Sequence, residues 1–159
     1  SSDLQLNSLI YRRSQGEPIA YLLGKKEFWS LSLHVSYDTL IPRPDTEILV
    51  EQALLKIKNK NFMILDLGSG CGAIALAIAS TCINCQVFGV DKSKKAIRIS
   101  EFNADQLKIK NVSFFYSNWF SNIYKKFDII ISNPPYVSSC EIKKLDKDIF
   151  FEPMTALVS

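Results

Sequence analysis

Residues 62–80 read FMILDLGSGCGAIALAIAS: a buried-type β run, three glycines at alternate positions, and an apolar helical run with nothing between them. A strand that passes through so tight a turn straight into a helix is the first half of a βαβ unit. It commits the chain to parallel strands joined by right-handed crossovers. The downstream sequence agrees. Strands of buried type recur at 86–90 (QVFGV), 112–116 (VSFFY) and 127–132 (FDIIIS), with helical patterns at about 72–80 and 93–107 between the first three. Ahead of them Asp45 or Thr46 can cap a helix to about Lys58, with Leu49, Val50, Ala53, Leu54 and Ile57 on one face. The expected class is α/β, a Rossmann-like sheet with about four strands present.

Upstream the periodicity changes. Residues 2–24 read as helical: Leu6, Leu9, Ile10 and Arg13 recur at three- and four-residue spacing, then Pro18 opens a short second turn that Gly24 can close. Residues 27–41 alternate instead, Phe28, Leu31, Leu33, Val35 and Leu40 against Ser30, Ser32, His34 and Ser36, as in a hairpin. That alternation puts His34, the only histidine, on the polar side as a surface residue. The expected organisation is the end of a helical domain at 1–26, a linking hairpin at 27–41 and the α/β unit at 42–159. The run Phe127 to Ile131 is apolar on both faces, as in a central strand, yet only the short Ala156 to Val158 reads as a strand after it. An open apolar edge of that kind is an aggregation liability, so the chain is expected to be a fragment of a larger sheet.

Composition narrows the class without choosing a function. With 159 residues, 47% hydrophobic and 22% charged, the chain matches one globular domain plus a small appendage and excludes disorder, collagen and a disulfide knot. The longest apolar run, Ala73 to Ala79, falls far short of the ~20 residues of a membrane-spanning helix. A net charge of +3 is too slight to indicate a nucleic-acid partner. The four cysteines, Cys71, Cys82, Cys85 and Cys140, fit reduced thiols in the cytoplasm, and the Cys82/Cys85 pair lacks a second pair at zinc-site spacing.

The loop Asp66, Leu67, Gly68, Ser69, Gly70, Cys71, Gly72 has GxGxG spacing, not the GxGxxG of dinucleotide enzymes, and no Lys-Ser/Thr of a phosphate-gripping loop. Asp66, just before the glycines, would repel a pyrophosphate but suits an ammonium group. Asp91 ends the next strand, 19 residues after Gly72, where a carboxylate accepts hydrogen bonds from both ribose hydroxyls. A ligand with a ribose, a cationic amino-acid end and no phosphate describes S-adenosylmethionine better than a nicotinamide dinucleotide. The bland reading is a packing turn followed by a helix-capping acid.

Asn133, Pro134, Pro135 and Tyr136 follow the 127–132 strand at its carboxyl end, where open α/β sheets place their ligands. Two prolines have no N–H to donate, so the chain leaves the sheet in a stiff extended turn. The Asn133 side chain and the Pro134 carbonyl can then each accept one N–H of a planar amide or amino nitrogen and aim its lone pair at a methyl donor. Tyr136 can wall in the acceptor. The bland reading here is an ordinary strand-terminating turn.

These residues resemble those of class I S-adenosylmethionine-dependent methyltransferases acting on planar nitrogen. More narrowly, the chain resembles the release-factor glutamine methyltransferases, the HemK/PrmC family. The resemblance runs through RRSQGEPIAYLLG (12–24), Glu27 to Trp29, TLIPRPDTE (39–47), DLGSGCGAIA (66–75), Asn118 to Phe120, Asn133 to Val137 and Phe151 to Val158. NPPY alone is shared with adenine-DNA and guanine-RNA methyltransferases; IPRPDTE with EPIAYLLG singles out the glutamine family. The resemblance implies a small N-terminal helical substrate-binding domain, a linking hairpin and a seven-stranded methyltransferase sheet of which about four strands are present. The implied substrate is the glutamine amide of the Gly-Gly-Gln motif in class 1 peptide chain release factors. Carried over by position, Gly68, Gly70 and Gly72 with Ser69 and Asp66 would line the methionine end, Asp91 the ribose, and Asn118 with Trp119 the adenine. Asn133 and Pro134 would receive the amide, with Pro135 and Tyr136 beside it, and Arg43, Pro44 and Thr46 would close over the cofactor. Two positions depart from the family: Ser69 stands where Thr is common, and Asn118 where Asp is, which removes a charge near the adenine.

The implied protein is a cytoplasmic monomer with no membrane or direct nucleic-acid contact. A nucleic-acid amino methyltransferase is the alternative, but it would need a basic groove, and the Lys pairs here are scattered. A binding module that retains the fold without chemistry would have no use for both Asn133 and Asp91.

Overall fold

The computed structural model describes residues 2–57, 61–133 and 141–144, the last four, like Ser2, by backbone alone. Pro134, Pro135, Tyr136 and Cys140 lie outside the described residues. The helical stretch at the N-terminus divides into α1 (Ser2–Ser14) and α2 (Ile19–Leu23). Gly24 ends α2 in the left-handed region at φ 70°, with its N–H donated to the Ala20 carbonyl, the closure its lack of a Cβ permits. The bidentate pair of Arg12 with Glu17 spans the turn between the two helices.

The hairpin pairs β1 (Lys25–Phe28) with β2 (Leu31–His34), beginning two residues before the alternation suggested and ending well before 41. Phe28 stands opposite Leu31, so Trp29 and Ser30 alone make the turn, both at positive φ (53° and 60°). Two-residue turns of this hand match the strand twist but favour Asn-Gly. Here the strain of two residues with side chains is offset from outside the hairpin. The Trp29 N–H donates to Glu47 Oε1 at 2.8 Å and its indole Nε1 to Thr81 Oγ1 at 2.9 Å. Phe28 and Leu33 are buried, while Leu40 is exposed. His34 is half-buried, edge-on to Phe102 at 4.7 Å, and burial together with Lys25 lowers its pKa. It is a packing residue rather than the surface residue that alternation implied, because the helix Lys94–Leu107 lies against the face a lone hairpin would leave to water.

The remaining elements are α3 (Thr46–Ile57), β3 (Met63–Leu67), α4 (Ala73–Thr81), β4 (Gln86–Asp91), α5 (Lys94–Leu107), β5 (Val112–Tyr116), β6 (Ile129–Ser132) and β7 (Glu141–Lys144). The larger sheet has the order β5-β4-β3-β6-β7. Its first four strands are mutually parallel, as the βαβ pattern required. One face carries Ile64, Val87, Ile129 and Ile131 against α3, α4 and the hairpin; the other carries Leu65, Leu67, Phe88, Val90 and Ile130 against Ile123 and Phe127. Every residue of α4 from Ala73 to Ala79 is buried, which is why its sequence is apolar all round.

β7 corrects one expectation. It pairs antiparallel with β6, Ile129 opposite Lys144 and Ser132 opposite Glu141, on the side where the sequence offered no strand before 156. The run EIKK has low strand propensity, and its pairing comes from main-chain hydrogen bonds with β6, which side-chain patterning does not register.

Candidate active site

Two loops, at the carboxyl ends of β3 and β4, converge beside Asn133, which follows β6. The first is the glycine loop. Gly68, Gly70 and Gly72 have φ of 72°, 57° and 90°, a conformation that disfavours side chains. At Gly72 packing adds a second reason, since a Cβ would meet Phe114 Cζ at 2.9 Å and Ser100 Cβ at 3.0 Å. At Gly68 and Gly70 a Cβ would meet nothing within 4 Å, because the space above them is open.

The second loop follows β4 and locks onto the first. The Gly68 and Ser69 N–H groups both donate to the Val90 carbonyl at 2.9 Å, and the Gly70 N–H donates to Asp91 Oδ2 at the same distance. Asp91 Oδ1 accepts the Ser93 N–H at 2.9 Å. Both carboxylate oxygens are thereby oriented, and each retains a further lone pair for a ligand hydroxyl. Sequence spacing brought Asp91 to the glycines; it did not reveal that Asp91 also shapes the loop.

A cavity of about 280 Å³ opens over this junction. Among the expected residues, Gly68, Gly70, Asp91, Trp119 and Asn133 line it. Trp119 is held at φ 57°, with its carbonyl accepting from Ser117 Oγ at 2.6 Å, while Ser117 N–H donates to the Asp91 carbonyl. Asn118 is exposed and does not line the cavity. Arg43 and Pro44 are exposed, and Thr46 is buried against Asn133, whose Nδ2 donates to Thr46 Oγ1 at 3.5 Å. Asp38, Thr39 and Leu40, within the 27–41 stretch expected as hairpin, form a further wall. A signal for it existed: Ser36 and Thr39 have the spacing of a side-chain-stabilised turn, and Thr39 Oγ1 does accept the Ser36 N–H at 3.2 Å. Tyr21 holds that turn from α2 through a 2.9 Å bond from its hydroxyl to the Thr39 carbonyl.

Asp66, Ser69 and Gly72 lie beneath the loop rather than on the cavity surface. Asp66 is 2% exposed, and among the described residues its Oδ2 and the Ser69 Oγ are buried with no hydrogen-bond partner. Burial pushes the Asp66 carboxyl up to about 8, the Ala75 N–H pulls it down and the negative charge of Asp91 adds to the rise. Orphaned oxygen atoms under a glycine cradle are what a cationic, hydrogen-bonding ligand end would satisfy. Among the described residues no cluster of His, Cys, Asp or Glu could hold a metal ion. Cys82 and Cys85 are not joined in a disulfide and share a 2.8 Å contact just after α4, away from the cavity lining. Among the described residues no helix is long and apolar enough to cross a membrane.

The comparisons with known proteins agree with this geometry. The release factor glutamine methyltransferase of Buchnera aphidicola subsp. Acyrthosiphon pisum (strain APS) is 67% identical over 154 residues, 97% of this chain and 56% of that protein. The protein of the same description in Escherichia coli (strain K12) is 50% identical over 156 residues, 98% of this chain and 56% of that protein. The chain thus spans little more than half the length of these curated relatives. A crystal structure of ribosomal protein L11 methylase from Lactobacillus delbrueckii subsp. bulgaricus shares the fold, with a TM-score of 0.53 and 20% identity, covering 63% of this chain and 51% of that one. The model of the methyltransferase small domain matches residues 44–159, and with its parallel sheet, glycine loop and Asn133 junction the chain belongs to that family.

Proposed function

We propose that the protein transfers a methyl group from S-adenosylmethionine to the side-chain amide nitrogen of the glutamine in the Gly-Gly-Gln motif of class 1 peptide chain release factors. The observation that carries this reading is the junction of the glycine loop, Asp91 and Asn133 around one cavity, with the IPRPDTE segment joined to it through Thr46. The two curated relatives named above are both described as release factor glutamine methyltransferases, which supports this reading.

The residues fit S-adenosylmethionine. Asp91 would hold the ribose hydroxyls, Trp119 the adenine, and Gly68 and Gly70 the methionine end, with the Asp66 carboxyl beneath as the counter-charge for its ammonium. When bound, the cofactor supplies a methyl group on a positively charged sulfur, open to attack by a weak nucleophile. The chain's own part is positioning. Asn133 Oδ1 would accept one N–H of the glutamine amide and the Pro134 carbonyl the other, as the family resemblance implies. The amide lone pair then faces the methyl group. Transfer to a nitrogen so held would form the N–C bond as the S–C bond of the cofactor broke, and the nitrogen would then give its surplus proton to solvent. No side-chain base is required, because the nitrogen carries the positive charge only after attack.

The proposed partners are class 1 release factors, the proposed setting is the cytoplasm, and the proposed form is a monomer. The test is methyl transfer from labelled S-adenosylmethionine by the complete protein, with a purified release factor, bulk DNA and bulk RNA as acceptors. Label on the Gly-Gly-Gln glutamine is the expected result. Label on nucleic acid would overturn the substrate assignment, and cofactor binding without label on any acceptor would overturn the assignment as an enzyme.

A further inference from the structure

The connection between α4 and β4 is four residues long, Cys82 to Cys85, and it begins and ends in a thiol. It lies at the opposite end of α4 from the glycine loop, nine residues and about 14 Å along the helix axis. Main-chain bonds close it on itself. The Cys85 N–H donates to the Cys82 carbonyl at 3.2 Å, the bond of a β-turn, which brings its first and fourth residues together. The Cys82 N–H donates to the Ile78 carbonyl at 2.8 Å and keeps the start of the turn on the helix. Asn111, just before β5, ties both ends from outside: its Nδ2 lies 3.0 Å from each of the Ala79, Cys82 and Cys85 carbonyl oxygens and donates to them. The sulfur atoms are therefore held in contact, at 2.8 Å, by bonds in which neither sulfur takes part. A reaction between them starts with its partners already in place.

The two thiols differ in access. Cys82 is half-buried beside the exposed Ile83 and Asn84, whereas Cys85 is fully buried. Burial above all pushes the Cys85 thiol up to about 12, so it stays protonated until a reactive partner forms beside it. A reagent from solvent meets Cys82 first, with Cys85 behind it to complete the reaction. A sulfur open to solvent with a resolving sulfur at its side is the arrangement of a reversible redox site.

We propose that Cys82 and Cys85 form a site of reversible oxidation by hydrogen peroxide, closing a disulfide within the turn between α4 and β4. The Cys82 sulfur attacks one peroxide oxygen; the S–O bond forms as the O–O bond breaks, and the departing hydroxide leaves as water with the thiol proton. The Cys85 sulfur then attacks the sulfur of the Cys82 sulfenic acid. The S–S bond forms as the S–O bond breaks, and the Cys85 proton leaves with the hydroxyl as a second water. The two thiols together lose two electrons and two protons, and the peroxide is reduced to water. A dithiol reductant reverses the change by exchange, which keeps the pair reduced at rest. The turn stands apart from the cavity, so the site does not depend on the activity proposed above.

The test treats the complete, reduced protein with hydrogen peroxide, blocks the remaining thiols with iodoacetamide in denaturant and locates the label by peptide mass spectrometry. A parallel solution of glutathione serves as the standard of an ordinary thiol. Cys82 and Cys85 are expected to lose their label together, in a peptide lighter by two hydrogens, before about half of the glutathione has reacted, and to regain it after dithiothreitol. Cys71, buried and with its thiol also pushed up to about 12, is expected to keep its label. Cys85→Ser is expected to leave a sulfenic acid on Cys82 that dimedone traps. Cys82→Ser is expected to slow oxidation of Cys85 at least about tenfold. Any of four results overturns the proposal: both positions still labelled when the glutathione is spent, Cys82 linked to a different cysteine, Cys82 carried to the sulfinic acid without a link to Cys85, or Cys85 oxidised as fast in Cys82→Ser as in the wild type.

Discussion

Asp66 shows how far a single side chain can depart from what its type suggests. Its carboxyl, raised by burial to about 8, is protonated in the folded chain at neutral pH and ionised in the unfolded one. Because the folded state then holds the extra proton, its stability falls as pH rises from about 4 to about 8 and levels off above. Chemical denaturation at pH 5, 6, 7 and 8 is expected to show that decline in the wild type and to lose it in Asp66→Asn. An ammonium group arriving above Asp66 favours the ionised form, so cofactor binding below pH 8 is expected to release a proton. Calorimetry in buffers of different ionisation enthalpy measures this, and a buffer-independent heat would exclude the pairing. The roles proposed for Asp91 and Asn133 separate binding from chemistry. Asp91→Ala is expected to weaken cofactor binding by about 1.5–3 kcal/mol as charge-assisted hydrogen bonds are lost. Asn133→Ala is expected to abolish transfer with binding nearly intact; equal loss of both would refute its assigned role.

Among the elements, α5 makes the connection that no periodicity announced. Asn103, fully buried, accepts the His34 N–H at 2.8 Å through Oδ1, and its Nδ2 donates to the carbonyls of His34 at 3.1 Å and Cys71 at 2.9 Å. One carboxamide thus ties the end of the hairpin to the glycine loop across α5. Periodicity marks 93–107 as a plain crossover helix, since a polar residue inside an amphipathic pattern gives no sign of which backbone it serves. Asn103→Ala strands one buried N–H and two carbonyls, so it is expected to cost about 2–4 kcal/mol in urea unfolding. It should also raise hydrogen exchange at the His34 amide. An unchanged unfolding midpoint would show that water replaces the side chain at no cost.

For the whole molecule, the cavity is the joint product of the hairpin's continuation, two crossover loops and the end of β6, so a ligand that bridges them should stabilise the fold as a unit. S-adenosylhomocysteine at about a hundred times its Kd is expected to add about 2.7 kcal/mol. A rise in Tm that disappears in Asp91→Ala would measure it, and no rise would mean that the cavity does not bind this ligand. The sequence by itself determined the parallel sheet, the glycine turn and the nearness of Asp91 to it, because strand periodicity, left-handed backbone and the length of one βαβ unit are local properties of the chain. It also brought Asn133 to a strand end through the prolines that follow it. Only the tertiary structure decided that Asp66 lies beneath the loop rather than on the cavity, that Asn118 turns outward, and that β7 pairs with β6. It alone also joined Thr46 to Asn133 and Asn103 to Cys71. Those outcomes depend on burial and on hydrogen bonds between residues far apart in sequence, and neither has a period that a single strand or helix could carry.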